Sequence, residues 1–172
     1  LLSQLRNTVS IHVHLSADPG EVGISENEAK ASLQWCNHLK TTQWVETREE
    51  LVNMIKGCSV YIAPRLEEGI GQSFLEALSA GLCVVAPNNG TMNEYIIDGV
   101  NGVLYDPYNI KPLRLEYIDI LRENALLTSE KLRENWEDDQ QRLVEYITSP
   151  SKEFYSEKDK YHGVHQCPAS MA

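Results

Sequence analysis

Residues 58–86, which read CSVYIAPRLEEGIGQSFLEALSAGLCVVA, decide the fold of this chain. Two short apolar runs, at residues 59–63 and 83–86, predict buried strands, and a proline closes each of them. Between the runs, residues 73–80 have a helical pattern that ends at Gly81. Strand, helix and strand in this order predict a βαβ unit with two parallel strands.

The same alternation extends to both sides of this unit. Further strands are predicted at residues 9–15, 43–46 and 101–105. Further helices are predicted at residues 25–39, 47–57, 93–97, 112–123 and 130–147, the first two opened by capping boxes at Ser25 and Thr47. We therefore expect an α/β fold with one parallel sheet covered by helices on both faces, in a domain spanning residues 1–148. Residues 149–172 are polar, lack periodicity and are expected to be a disordered tail.

Composition excludes several classes of protein. The 172 residues are 42% apolar and 23% charged, as in soluble globular domains. The net charge of −10 argues against a nucleic-acid partner, which needs clustered Lys and Arg. No apolar run approaches the ~18 residues of a membrane span.

The four cysteines form no C-x-x-C pair, which favours a reducing, cytoplasmic location. Because the chain opens with Leu1 and has no basic n-region, we expect a fragment without a signal peptide.

The loop after the first predicted strand of the unit, residues 59–63, carries the strongest functional pattern. Gly69 and Gly71 allow a ligand to approach the backbone closely, and the helix that follows directs its free N–H groups at this loop. Glu68 and Glu76 flank the glycines, and ionised carboxylates accept hydrogen bonds from a sugar diol. Together these features predict a site for a phosphorylated sugar. The alternative is that Glu76 is a solvated helix acid and that the glycines only form a turn.

These residues also resemble a known family. Residues 68–86 are similar to the E-x7-E signature of glycosyltransferase family 4. The resemblance covers roughly residues 9–147 and includes Glu49-Glu-Leu, Cys58-Ser-Val-Tyr-Ile-Ala-Pro64, Asn-Gly90, Glu94, Asp98-Gly-Val-Asn-Gly102-Val-Leu-Tyr, Trp136 and Tyr146-Ile147. It implies the C-terminal, donor-binding half of a GT-B enzyme, with a Rossmann-like, three-layer parallel sheet.

The resemblance also implies roles for individual residues. Glu68 would contact hydroxyls of the donor sugar as the catalytic residue, and Glu76 would hold the nucleotide ribose. The backbone of residues 69–72 would lie against the sugar and the diphosphate. The implied donor-binding residues are Gly69, Ile70, Gly71, Gln72, Ser73, Glu76, Gly90 and Thr91. The family needs no metal or other cofactor and usually retains the anomeric configuration.

The sequence departs from the family pattern at two places. The Arg and Lys that usually neutralise the diphosphate early in this domain are not visible, and Arg65 is expected to have a surface role instead. The common Gly-Gly of the next loop is replaced by Gly90-Thr91, whose hydroxyl could donate to a phosphate. We therefore expect weak donor affinity from the chain alone.

The function implied by the resemblance is transfer of a hexose from a nucleotide sugar to a glycan or a lipid-linked acceptor. A UDP-sugar is the first choice of donor and GDP-mannose the second. Bacterial surface polysaccharide synthesis is the expected setting, with peripheral association at the cytoplasmic face of the membrane. The acceptor would bind through a missing N-terminal domain, so the fragment should be inactive. The rival functions are a GT-B nucleotide-sugar epimerase and a non-catalytic module that only binds nucleotide sugars.

Two groups of histidines are candidate metal ligands. His12 and His14 share one face of a predicted strand, where packing is favoured over metal binding because a metal needs more ligands and supporting groups. His162, His165 and Cys167 have loosely ligand-like spacing but belong to the predicted tail.

Overall fold

A computed structural model describes residues 9–15, 23–63, 65–113 and 115–149. Apart from Ser149, the predicted tail with its His and Cys residues lies outside these ranges. Strands and helices alternate in the order β1 (Ser10–His14), α1 (Glu26–Ser32), β2 (His38–Thr42), α2 (Arg48–Lys56), β3 (Val60–Ile62), α3 (Gln72–Ser79), β4 (Cys83–Pro87), α4 (Met92–Tyr95), β5 (Gly102–Tyr105) and α5 (Ile118–Thr148). The predicted α/β class is confirmed.

The described strands form two parallel sheets, where the pattern predicted one. β1 pairs with β2 from Ser10–His38 to His14–Thr42. β4 lies between β3 and β5 in a three-stranded sheet, with Val84 opposite both Tyr61 and Gly102. Because β3 and β4 are parallel neighbours, their carboxyl ends lie at the same edge, where open α/β sheets bind ligands.

The core is built around β4. All five residues of this strand are buried because neighbouring strands pair with it on both sides and α3 packs against it. α3 contributes Phe74 and Leu78 to this core, and the segment after β4 contributes Met92 and Ile96. Each of these side chains is at most 1% exposed. Burying a side chain of this size contributes about 1.5–3 kcal/mol. The second loop of the predicted site therefore begins and ends in this core, and the first loop ends in it.

One polar side chain is buried within this core. Asn101 is 0% exposed, and its Oδ1 accepts a hydrogen bond from the Ile97 N–H at 2.7 Å. Its Nδ2 donates to the Tyr95 carbonyl at 2.9 Å and to Thr128 Oγ1 at 3.2 Å. These bonds satisfy the amide and join the turn after α4 to α5, as buried polar groups require.

The predicted first helix and second strand were wrong in their bounds. Both predicted capping boxes are present, at Ser25 and Thr47. However, α1 ends at Ser32 rather than near residue 39, and β2 occupies His38–Thr42 rather than residues 43–46. No glycine or proline marks the end of α1, and pairing with β1 selects the strand despite its polar composition.

The two helices predicted after residue 112 are one continuous helix, α5, of 31 residues. Its sequence contains no Gly or Pro between residues 118 and 148, so nothing in it terminates a helix at the predicted break. The chain divides into two compact units, Leu1–Ser129 and Glu130–Ala172, and the boundary falls within α5. Among the described helices, α5 included, none has the length and apolar character needed to span a membrane.

Candidate functional site

The candidate site is formed by two loops at the shared edge of β3 and β4. The first loop covers residues 65–71, and the second covers residues 88–91. The Thr91 hydroxyl donates to the Glu68 carbonyl at 2.7 Å and to the Gly69 carbonyl at 3.1 Å. Asn89 Nδ2 donates to the Leu66 carbonyl at 3.2 Å. The structure thus brings together the two loops that the sequence marked separately.

The start of α3 is shaped by Gly71. This residue is the N-cap of the helix in the left-handed conformation, with φ 73°, and no side chain caps the helix there. A Cβ at this position would overlap the ring of Phe74, which is 0% exposed. Only glycine fits both constraints. The free N–H groups at the start of α3 point at the loop, and the first turn holds no acidic residue that would neutralise the positive end of the helix dipole.

Two carboxylates flank this helix start, and each has a guanidinium beside it. Glu68, with its side chain 13% exposed, lies 3.8 Å from Arg65 Nη1. Glu76, 34% exposed, lies 3.6 Å from Nη2 of Arg48, the first residue of α2. Arg65, expected to have only a surface role, therefore stands at the site, and Arg48 was missed. The four charges of these pairs cancel, which lowers the repulsion that an anionic ligand would meet here.

A second residue missed from the sequence is Tyr61, near the end of β3. Burial raises the pKa of its phenol, and the charges of Glu68 and Glu76 raise it further. A hydrogen bond with Ser73 and the charge of Arg65 act in the opposite direction but do not reverse the shift. The phenol is therefore protonated at neutral pH, and it links β3 to the first turn of α3. Its position in the sequence could have identified it, because Tyr61 lies near the end of a predicted strand that leads into the glycine loop.

The remaining predicted site residues differ in exposure. Gly69, Ile70, Gln72, Ser73 and Gly90 are exposed, whereas Glu76 and Thr91 are partly buried. Neither Gly69 nor Gly90 has a neighbour within 4 Å of the place a Cβ would occupy. A ligand could therefore approach the backbone of both loops at these two glycines.

The described residues contain no group of three or more His, Cys, Asp or Glu side chains that could hold a metal ion. His12 and His14 both contact Thr42 Oγ1 on β2, from Nε2 at 3.1 Å and from Nδ1 at 3.0 Å. Their shared partner ties β1 to β2, which accounts for the two histidines structurally.

Comparison with known proteins assigns the chain to a family. The family model described as Glycosyl transferases group 1 matches residues 23–142, well over half of the chain. Among curated proteins, an N,N'-diacetylbacillosaminyl-diphospho-undecaprenol alpha-1,3-N-acetylgalactosaminyltransferase of Campylobacter jejuni is 30% identical over 113 residues, which cover 66% of this chain and 28% of that protein. The uncharacterized glycosyltransferase MJ1178 of Methanocaldococcus jannaschii is 27% identical over 78 residues, covering 45% of this chain and 22% of that protein.

Solved structures agree on the fold. Anabaena Alr3699/HepE in complex with UDP-glucose aligns with a TM-score of 0.58 at 21% identity, covering 76% of this chain and 38% of that one. The pneumococcal O-GlcNAc transferase GtfA in complex with UDP and GlcNAc aligns with a TM-score of 0.56 at 19% identity, covering 72% of this chain and 27% of that one. The chain thus spans well under half the length of these proteins, and its Rossmann-like α/β fold is that of GT-B glycosyltransferases.

Proposed function

Because the chain belongs to the Glycosyl transferases group 1 family, we propose that it is the donor-binding domain of a retaining glycosyltransferase. The enzyme would move a hexose from a nucleotide sugar to a glycan or a lipid-linked acceptor. One observation carries the proposal. Gly71 leaves the start of α3 uncapped, and Glu68 and Glu76 flank it. An anion-binding helix start between two hydrogen-bond acceptors suits a diphosphate that carries a sugar at each end.

The roles of the residues follow from their chemistry. The diphosphate would receive hydrogen bonds from the N–H groups at the start of α3. Glu68 would accept from hydroxyls of the donor sugar, and Glu76 would accept from the ribose diol. During transfer, the bond between the anomeric carbon and the diphosphate oxygen breaks, and the nucleotide leaves with the electron pair. The oxygen of the acceptor hydroxyl forms the new bond to the anomeric carbon, and its proton passes to the departing diphosphate. The dipole of α3 would stabilise the negative charge that develops on this leaving group.

Several finer points belong to the same proposal. A UDP-sugar is the first choice of donor, with GDP-mannose second, and similarity to two folds solved with UDP or UDP-glucose supports that order. The Campylobacter relative, whose name specifies a diphospho-undecaprenol substrate, supports a lipid-linked acceptor. Bacterial surface polysaccharide synthesis is the setting that we propose. The protein would act in the cytoplasm, at the membrane face, without metal or cofactor. The chain alone would bind donor but not turn it over.

Isothermal titration of the 172-residue chain tests the proposal. We expect UDP-glucose to bind, with EDTA causing no loss of affinity. Glu76→Gln should weaken both UDP and UDP-glucose by about tenfold or more, because a bond to a charged acceptor is lost. Glu68→Gln should weaken UDP-glucose alone, because only the sugar reaches it. Glu134→Gln, an exposed change on α5, is the matched control.

Three outcomes would overturn the proposal or part of it. If the wild-type chain binds neither UDP-glucose nor GDP-mannose at millimolar concentration, the proposed donor site is rejected. Equal behaviour of Glu68→Gln, Glu76→Gln and Glu134→Gln would reject the assigned roles. Transfer of radiolabelled hexose to a lipid-diphosphate acceptor by the chain alone would reject the expected inactivity.

A further inference from the structure

Thr91 has an unexpected set of hydrogen bonds. It is the N-cap residue of α4, a position where a threonine side chain normally accepts a bond from the first turn of its own helix. Here it makes no such capping bond. Its hydroxyl instead donates to the carbonyls of Glu68 and Gly69, at 2.7 Å and 3.1 Å, across 23 and 22 residues of sequence. The side chain therefore holds the other loop rather than its own helix.

The two loops differ in how firmly they are anchored. The second loop lies between Pro87 and Met92, both buried in the core, with Met92 directly after Thr91. In the first loop, the stretch from Arg65 to Glu67 and the stretch from Gly69 to Ile70 are exposed. A firmly placed donor on one loop thus meets backbone acceptors on an exposed one. Asn89, donating to the Leu66 carbonyl at 3.2 Å, adds a second tether of the same kind.

We propose that Thr91 is a positioning residue. It fixes the backbone of the first loop at Glu68, so that the Glu68 side chain can contact the donor sugar. The inference rests on the function proposed above and adds that Thr91 acts through the first loop rather than by touching the donor. A hydroxyl has one proton, and the carbonyls of Glu68 and Gly69 share it here. Donation from Thr91 to a phosphate, predicted from the sequence, would require breaking these bonds. The threonine that replaces a common glycine therefore fixes the position of the first loop and does not contact the phosphate.

The test compares affinity for UDP-glucose with affinity for UDP, measured by titration of the whole chain. Thr91→Val keeps the shape of the side chain and removes the hydroxyl. We expect the affinity for UDP-glucose to fall about fivefold, as the loss of one net hydrogen bond predicts, and the affinity for UDP to change less than twofold. Thr91→Ser should restore the wild-type ratio. Thr148→Val is the control, because Thr148 donates to the Val144 carbonyl at 2.8 Å on α5, away from the two loops in sequence.

The outcomes separate this inference from the proposed function. If wild type binds neither ligand, the donor site itself is rejected. If wild type binds both ligands but Thr91→Val keeps the wild-type ratio, or lowers both affinities equally, the positioning role is rejected. Failure of Thr91→Ser to restore the ratio also rejects it. If Thr91→Val does not fold, as judged by circular dichroism, Thr91→Ala removes the same hydroxyl with a smaller side chain, and an unchanged ratio there rejects the role in the same way.

Discussion

Replacing Gly71 with alanine is the most direct perturbation of the site's backbone. Gly71 has φ 73°, which disfavours any residue with a Cβ. The added methyl would also overlap the Phe74 ring, lying 2.8 Å from its Cδ1 and closer still to its Cε1 and Cζ. Because Phe74 is fully buried, its ring cannot move out to solvent. We therefore expect strain in the backbone and overpacking in the core at the same time.

The two effects set the size of the expected loss. The left-handed conformation disfavours alanine by about 1–2 kcal/mol. Overpacking a filled core costs about 1–3 kcal/mol. The free energy of unfolding should therefore fall by roughly 2–5 kcal/mol, a large part of the ~5–15 kcal/mol typical of a domain. Urea denaturation followed by circular dichroism measures this change as a shift of the midpoint at constant m-value.

Gly69→Ala is the matched control in the same loop. A Cβ at Gly69 would have no neighbour within 4 Å, and the backbone there does not have a positive φ. We expect no loss of stability at this position, because alanine restricts the unfolded chain without strain in the folded one. The comparison isolates the two features that Gly71 has and Gly69 lacks.

A double mutant separates the clash from the backbone strain. Phe74→Leu removes the Cε1 and Cζ atoms that the new methyl would meet, and alone it should cost about 1–2 kcal/mol. With Gly71→Ala it should relieve the clash, so the two losses should sum to at least ~1 kcal/mol more than the double mutant shows. The reasoning is refuted if Gly71→Ala is as stable as Gly69→Ala, or if the two losses are additive.

Three further predictions concern the described core and the paired strands. Asn101→Leu leaves the Ile97 N–H and the Tyr95 carbonyl unpaired and should cost about 2–4 kcal/mol in urea denaturation; a loss under ~1 kcal/mol would contradict the network. Burial and the nearby His12 lower the pKa of His14, so the unfolded chain binds its proton first and stability should fall as pH drops below about 6.5. His14→Gln should flatten this slope in thermal unfolding, and an unchanged slope would count against it. Burial raises the pKa of Cys83 to about 11, so at pH 8 only about a thousandth is thiolate and native labelling by iodoacetamide should spare it. Labelling of Cys83 as fast as the less buried Cys58, seen by peptide mass spectrometry, would refute this.

Helices and strands were predicted correctly where residues nearby in the sequence decide their boundaries. The capping boxes at Ser25 and Thr47 formed as expected, because a side chain three residues from its backbone partner needs no distant contact. α3 and β4 were also predicted within one residue, since an apolar run and a following glycine or proline bound each of them.

Elements without such signals were predicted incorrectly. β2 consists of five residues, HLKTT, that have no strand pattern, and pairing with β1 selects them. The length of α5 was missed because residues 124–129 were interpreted as a break, although they contain no helix-breaking residue. The bounds of a strand depend on the strand with which it pairs, and a helix without a stop signal can continue past a predicted break. Neither boundary can be read from the local residues alone.

The candidate site divides along the same line. Residue type and spacing along the chain were enough to predict Glu68, Gly71 and Glu76 as parts of one candidate site, because a glycine loop before a helix has local consequences. Spacing made Gly69 and Gly71 look equivalent, and the structure distinguishes them by the positive φ of Gly71 and by the Phe74 ring beside it. Likewise, the partners of Thr91, and of the guanidinium that reaches Glu76 from α2, come from parts of the chain more than twenty residues away. Such contacts depend on which strands lie side by side, and strand order follows from packing the whole chain rather than from any single segment.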